Sequence, residues 1–282
     1  MPDTPPPIPE LSVVVPAMNE RDNLGPLADQ VAVAVASKPG LTAELIVVDD
    51  GSTDDSRAVL AELAAAHDWV RPLAFPANRG QSAAMAAGIA AARGRYIATL
   101  DADLQNDPAD LPRLLDLLIE RKADLVQGDR SRNRRDHAIR RWTSAVGRAA
   151  RAAIVGDRVR DTGCSARVMT AHHARHLPLA YKGMHRFIPA CIALQGGVIV
   201  ETAVHHRPRN AGTTKYGLGI GKRAWAGLID CFAVAWMRSR IRPLDTTPIT
   251  ADDAPPASAA APASPAPVNP SADAGPSLGA TP

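Results

Sequence analysis

The sequence predicts an α/β fold in which a mostly parallel sheet is flanked by helices. Short β-branched runs alternate with helix-length stretches between residues 11 and 100. Each run is stopped by proline, glycine or acids, and helix-start chemistry follows the second. Strands that alternate with helices imply right-handed crossovers and hence a mainly parallel sheet.

Taken in order, LSVVVP (11–16) reads as a buried strand ended by its proline, and residues 23–37 as a helix. ELIVVDD (44–50) is a second strand closing on two acids. Ser52–Asp55 offers N-cap side chains for a helix running to about Ala66. VRPLAF (70–75) is a third strand, Gln81–Ala92 an alanine-rich helix, and RYIATL (95–100) a fourth strand. A proline-rich head, 1–9, and an Ala/Pro-rich tail, 241–282, read as disordered, because neither can bury enough apolar surface to offset chain entropy.

In a parallel sheet, ligands gather beyond the carboxyl ends of the strands. Here those ends are Pro16–Glu20, Asp49–Ser52 and Asp101–Asp103, so three polar sets should meet on one rim. No GxGxxG follows the first strand and no GxxxxGK[ST] is present, so a bound diphosphate cannot rest on a glycine-rich helix start. A divalent cation, Mg²⁺ or Mn²⁺, is the alternative. Such ions take hard oxygen ligands from one or two carboxylates plus substrate phosphates. Asp101 and Asp103 fit that need, with the carbonyl oxygen of Gln105 as third ligand and Asp50 an acceptor for a base or ribose.

Other chemistries find little support. The histidine pairs His172-His173 and His205-His206 form no HExxH, and no GxSxG elbow occurs. Cys164, Cys191 and Cys231 are too scattered for a disulfide framework or zinc site, which fits a reducing compartment. The chain opens without a basic start and apolar core, so no secretory signal is expected. Charge is uneven: eight arginines fall between Arg130 and Arg151 against Asp136 alone, whereas the tail is net acidic. That density suits an anionic partner, phosphate or membrane surface. Nucleic acid is not expected, since interleaved aromatics and a recognised binding motif are lacking.

The segments VVVPAMNE, IVVDDGSTDDS, NRGQSAAMAAGI, TLDADLQNDP, QGDR, DTGCSAR, HRFIPA and RPRNAGTTKYG, in that order, resemble family 2 glycosyltransferases of the GT-A fold. Within them the likeness is to the polyprenyl-phosphate sugar transferases, over about residues 11–240. The resemblance implies a single GT-A domain (10–216) with a Rossmann-like sheet. It implies a nucleotide-sugar pocket from Pro16, Met18, Glu20, Val48 and Asp50, with Met18 where relatives often carry an aromatic. Asp101, Ala102 and Asp103 match the motif that grips metal and diphosphate. Arg130 matches an arginine after the next strand, and Arg209 and Lys215 the RxxGxxK of a loop. Asp101, Asp103, Arg130, Arg209 and Lys215 are then the catalytic set, and Arg140 and Ser144 take the acceptor phosphate. The implied reaction is metal-dependent, inverting transfer of a hexose, mannose or glucose first, from a nucleotide-sugar to a polyprenyl phosphate. A lipid phosphate is already ionised near neutrality, so no strong general base is needed.

Such an acceptor requires a membrane surface. Residues 222–240 are too short and too polar to span. With Trp225, Trp236 and flanking cations they suit an interfacial amphipathic helix (217–240) on the cytoplasmic face. A separate membrane-anchoring subunit is the other route. Two alternatives remain open: transfer to a sugar acceptor in surface polysaccharide synthesis, and a non-catalytic nucleotide-sugar-binding subunit. The first needs a carboxylate base, for which Asp136, Asp157, Asp161, Glu201 and Asp230 are available. Asp161 reads rather as a loop-positioning residue.

Overall fold

The computed structural model describes residues 8–131, 151–156, 159–207 and 220–242, with side chains from 227 onward in the last segment. Among them are seven strands: β1 (Leu11–Ala17), β2 (Ala43–Asp49), β3 (Val70–Ala74), β4 (Tyr96–Thr99), β5 (Leu125–Asp129), β6 (Arg167–Thr170) and β7 (Ile199–Ala203). They form one sheet in the order β3-β2-β1-β4-β6-β5-β7. The first four strands, β5 and β7 pair in parallel, as expected, while β6 runs antiparallel to both β4 and β5.

Helices α1 (Arg21–Ala36), α2 (Ser56–Ala66), α3 (Gln81–Ala91) and α4 (Leu111–Glu120) supply the first crossovers. The predicted strands and helices in this half are present within a few residues. Within Ser52–Asp55 it is Asp54 that serves the start of α2, its Oδ1 accepting the Ser56 N–H at 3.0 Å. Asp55, at the N-cap, makes no capping bond and takes Arg21 Nη1 at 3.1 Å. The Ser52 hydroxyl accepts from the Asn19 N–H at 2.8 Å, tying the loop after β1 to this turn.

Both faces of the sheet are buried, which is why its central strands read as continuous apolar runs. Val13 and Val15 face one core with Leu24, Leu27, Leu45, Val47 and Leu114. Val14 faces the other with Ile46, Met85, Ile97, Phe187 and Ile192. This alternation is the period of two that strand geometry imposes. A helix Ile188–Leu194 and the long helix Ile220–Arg240 complete the second layer, the latter through Cys231 and Val234. On its outer side Ile229, Phe232 and Trp236 remain 54%, 58% and 63% exposed. Among the described residues no helix is long and apolar enough to cross a membrane.

The chain visits β1, β2 and β3 in one direction and then returns to place β4 on the other side of β1. Strand order therefore reverses between β1 and β4, and a crevice opens there beyond their carboxyl ends. Close packing of α3 against β1 keeps that geometry tight. A Cβ on Gly88 would stand 2.4 Å from Val14 Cγ1 and 3.1 Å from Val48 Cγ2. Gly88→Ala should lower stability by about 1–2 kcal/mol in urea unfolding, since overpacking outweighs the gain in helix propensity. A stabilised variant would contradict this packing.

Candidate active site

A cleft of about 400 Å³ occupies the switch point. Its wall brings together residues from all three predicted strand ends: Pro16, Met18 and Glu20 after β1, Asp50 after β2, and Asp101, Ala102, Asp103 and Gln105 after β4. Asn78, Gly80 and Gln81, at the entrance to α3, close the remaining side. Four carboxylates line the cleft, with no lysine or arginine among the described lining residues.

The two aspartates that end β2 have diverged. Asp49 is fully buried and receives Arg57 Nε at 2.8 Å and the Ser52 N–H at 3.3 Å. Asp50 reaches the cleft, but its oxygens accept from the Arg79 N–H at 2.7 Å, the Gly80 N–H at 2.9 Å and Asn78 Nδ2 at 2.9 Å. In this structure it latches the 78–80 loop rather than standing open to a base or ribose. Gly51 makes that approach possible. Its φ is +73°, and a Cβ there would fall 2.4 Å from the Asn78 backbone nitrogen. Asn78 Nδ2 also lies 2.9 Å from Met18 Sδ, so one amide ties the two walls at this end of the cleft. Glu20 accepts from Asn23 Nδ2 at 2.7 Å. Val48 does not line the cleft: it is fully buried between β2's neighbours and α3.

Beyond β4 the backbone turns sharply. Leu104 has φ of +59°, although its side chain is 2% exposed and packed in the core. A left-handed leucine costs about 1–2 kcal/mol and persists only where its surroundings over-determine it. The turn sets Asp103 and Gln105 on the same wall as Asp101. The Gln105 N–H donates to Asp103 Oδ1 at 3.2 Å, and Gln81 Nε2 to Asp101 Oδ1 at 2.9 Å.

Burial raises the Asp101 pKa above the usual carboxylate range; the Ser165 hydroxyl bond opposes this, the Asp103 charge reinforces it, and Arg130 and Arg167 draw it back. Two carboxylates and an amide, all hard oxygen donors, fit Mg²⁺ or Mn²⁺ completed by phosphate oxygens and water. Among the described residues no group of three or more His, Cys, Asp or Glu could hold a metal unaided, so ligand oxygens are needed to complete a coordination shell.

The fixed cations stand behind this wall. Arg130, after β5, is 8% exposed and forked onto Asp161, with Nε–Oδ2 2.8 Å and Nη2–Oδ1 3.1 Å. Burial lowers its pKa, but the Asp161 bond and charge outweigh that and the net shift is upward. Asp161 also accepts the Arg130 N–H at 3.2 Å, so the residue that reads as loop-positioning in the sequence holds this arginine in place. Arg209, Lys215, Arg140 and Ser144 lie outside the described residues.

Sequence reasoning assigned no role to Gln81, Asn78, Arg167 or His185, although all four sit in the quoted segments. Arg167, in β6, is 2% exposed, donates to the His185 and Cys164 carbonyls, and has no partner at Nε among the described residues. Burial pushes its pKa down to about 10. His185 Nδ1 lies 2.7 Å from Ser82 Oγ. Burial, with Arg186 and Arg167 nearby, pushes its pKa down to about 4, so the ring is neutral in the fold.

An unfolded histidine titrates near 6.5. Between about pH 6.5 and 4 the unfolded chain binds a proton that the native site refuses. Stability is thus complete above 6.5 and falls toward pH 4, by at most about 3 kcal/mol. His185→Asn should remove this component, so the wild-type advantage in urea unfolding shrinks as pH falls from 7 to 4.5. An advantage constant across that range would contradict a neutral His185.

Comparison with known proteins agrees with this architecture. Residues 12–177 match the profile of Glycosyl transferase family 2. The chain is 41% identical over 250 residues to dodecaprenyl-phosphate galacturonate synthase of Rhizobium johnstonii, covering 83% of this chain and 69% of that one. It is 36% identical over 240 residues to undecaprenyl-phosphate 4-deoxy-4-formamido-L-arabinose transferase of Klebsiella pneumoniae, covering 83% and 70%. Among solved structures it resembles glucosyl-3-phosphoglycerate synthase from Mycobacterium tuberculosis, in complex with Mn²⁺, UDP and glucosyl-3-phosphoglycerate. The TM-score is 0.59 at 20% identity, over 84% of this chain and 82% of that one, a likeness of fold. The sheet, its switch-point cleft and the matched motifs together make this chain a member of glycosyl transferase family 2, built on the GT-A fold.

Proposed function

We propose that the enzyme transfers a sugar from a nucleoside-diphosphate donor to a polyprenyl phosphate, with inversion at the anomeric carbon. The observation that carries this reading is the cleft wall: four carboxylates and no described cation at the switch point of the sheet. A nucleoside diphosphate is itself polyanionic, so it enters such a wall only with positive charge between them. Asp101, Asp103 and the side-chain carbonyl of Gln105 are the residues that would hold Mg²⁺ or Mn²⁺. A bound divalent cation would offset the charge that develops on the departing diphosphate.

The protein's own part is binding and orientation. Met18, Glu20 and the Asp50-latched loop hold the nucleoside end. Arg209 and Lys215 supply cations to the diphosphate, while Arg130, oriented by Asp161, adds field from behind Asp101. Arg140 and Ser144 receive the acceptor phosphate. That phosphate's oxygen attacks the anomeric carbon as the bond to the diphosphate oxygen breaks. The acceptor is ionised beforehand, so no carboxylate base is required. The commitment of Asp161 to Arg130 supports a mechanism without one.

Support for the lipid acceptor comes from the two relatives whose names specify dodecaprenyl and undecaprenyl phosphate. The outward Ile229, Phe232 and Trp236, with exposed Arg238, Arg240 and Arg242 beyond them, suit a helix lying at an anionic membrane surface. Peripheral binding to the cytoplasmic face follows, with a separate anchoring subunit as the other means of recruitment. The sugar is a hexose or hexuronate. The name of the relative at 41% identity supports testing galacturonate first, with glucose and mannose as comparators.

The test is radiolabel transfer from UDP-galacturonate, UDP-glucose and GDP-mannose into detergent-dispersed polyprenyl phosphate, with Mn²⁺ or EDTA. Label should enter the lipid phase only with metal, and Asp103→Ala should cost about 100-fold or more in kcat. Label appearing on a sugar acceptor instead would indicate polysaccharide synthesis. Nucleotide binding without any transfer would indicate a non-catalytic subunit.

A further inference from the structure

The chain leaving β7 doubles back across the loop that follows the Asp101–Asp103 motif. His205 donates its N–H to Asp110 Oδ2 at 2.7 Å, and its Nδ1 lies 3.1 Å from Oδ1. Asn106 and His206 form an isolated antiparallel bridge. The Arg207 N–H donates to the Gln105 carbonyl at 2.7 Å, and its guanidinium pairs with Asp107 and with Gln30 Oε1 at 2.8 Å. Residues 205, 206 and 207 therefore meet 110, 106 and 105/107 in antiparallel order. Arg113 extends the seam, donating to Asp110 Oδ1 at 2.9 Å and to the Ala203 carbonyl at 2.7 Å.

None of Asn106, Asp107, Asp110, Arg113 or residues 205–207 lines the cleft. Asp110 is nonetheless 3% exposed and Asn106 2%, the latter anchored to Ser165 Oγ at 2.7 Å. This much polar structure bears on one short stretch, 103–107, which contains the left-handed Leu104. Such a turn relaxes to ordinary backbone angles unless bonds on both sides forbid it. On one side lies the short path back to β4; on the other, the contacts with 205–207 join the Asn106–Ser165 bond as the restraint.

We propose that Asp107 and Arg207, with Asp110 at the near end, are positioning residues for the metal-binding wall. Segment 205–207 is a strap that holds Gln105 and Asp103 in the conformation where their oxygens face the cleft together. The effect on metal and nucleotide rests on the donor-binding reading above, whereas the effect on the loop does not.

The experiment uses the full chain, with Asp107→Ala, Arg207→Ala, their double variant and Arg207→Lys. Hydrogen exchange of amides 104–107, measured without metal or nucleotide, reads the strap itself. Each alanine variant should speed it about tenfold, the worth of one charge-assisted contact, while the melting temperature moves by only a few degrees. Mn²⁺-dependent UDP binding should weaken by a similar factor. The double variant should be no worse than either single, and Arg207→Lys should recover part of the loss.

Unchanged exchange in both single variants would overturn the strap. So would an additive loss of about 100-fold in the double variant, which would mean that Arg207 acts on the nucleotide independently of Asp107. Wild-type protein that fails to bind UDP with Mn²⁺ would count against the donor reading, and the exchange data would still decide the strap.

Discussion

Packing ionisable acids at the closed end of a parallel sheet is costly, because each loses water there. Four aspartates stand at the carboxyl ends of β2 and β4, and the surrounding structure offsets them unequally. Asp49 has an arginine. Asp50 has two backbone N–H groups and an amide. Asp103 receives the N–H of Gln105 within its own turn. Asp101 has Gln81 and Ser165, and burial still lifts its pKa. Asp101 is thus the position at which the fold leaves negative charge short of compensation, and it lies on the wall where a diphosphate and its counter-ion would arrive.

Among the described residues, positive charge stands near the cleft but not on its wall. Arg130 is forked onto Asp161, and Arg167 is fixed to two carbonyls within the sheet. Both act on Asp101 through space, and neither lines the cavity. A cleft neutralised by its own arginines would have little need of an added cation; one backed by arginines and faced by carboxylates can take a cation and its anionic ligand together. The left-handed Leu104 belongs to the same arrangement, since the turn that puts Asp103 and Gln105 on one wall needs outside bonds to persist.

Strand ends were legible in the sequence because apolar runs stopping at acids depend only on local pattern. That placed Pro16, Met18, Glu20, Asp50, Asp101, Asp103 and Gln105 on one rim, where the structure has them. Long-range contacts were not legible. Asp50's partners lie 28–30 residues away, Arg130's Asp161 31 away, and Arg207's Asp107 100 away. Nothing local shows that a carboxylate is already occupied, so Asp50 read as open to a ligand. Val48 entered the expected pocket through the family resemblance alone; strand alternation turns its side chain into the core. The reversal at β6 and the strap after β7 escaped for the same reason: both are settled by partners distant in sequence.

The central claim is that this wall accepts a nucleoside diphosphate only together with a divalent cation. Calorimetric titration of UDP into the full chain, in EDTA and then in Mn²⁺, tests it most directly. Binding should be at least about 100-fold tighter with Mn²⁺, the scale expected when a close charge pair is formed rather than opposed. Equal affinity in EDTA would contradict the account, and would mean that the protein's own cations reach the diphosphate unaided.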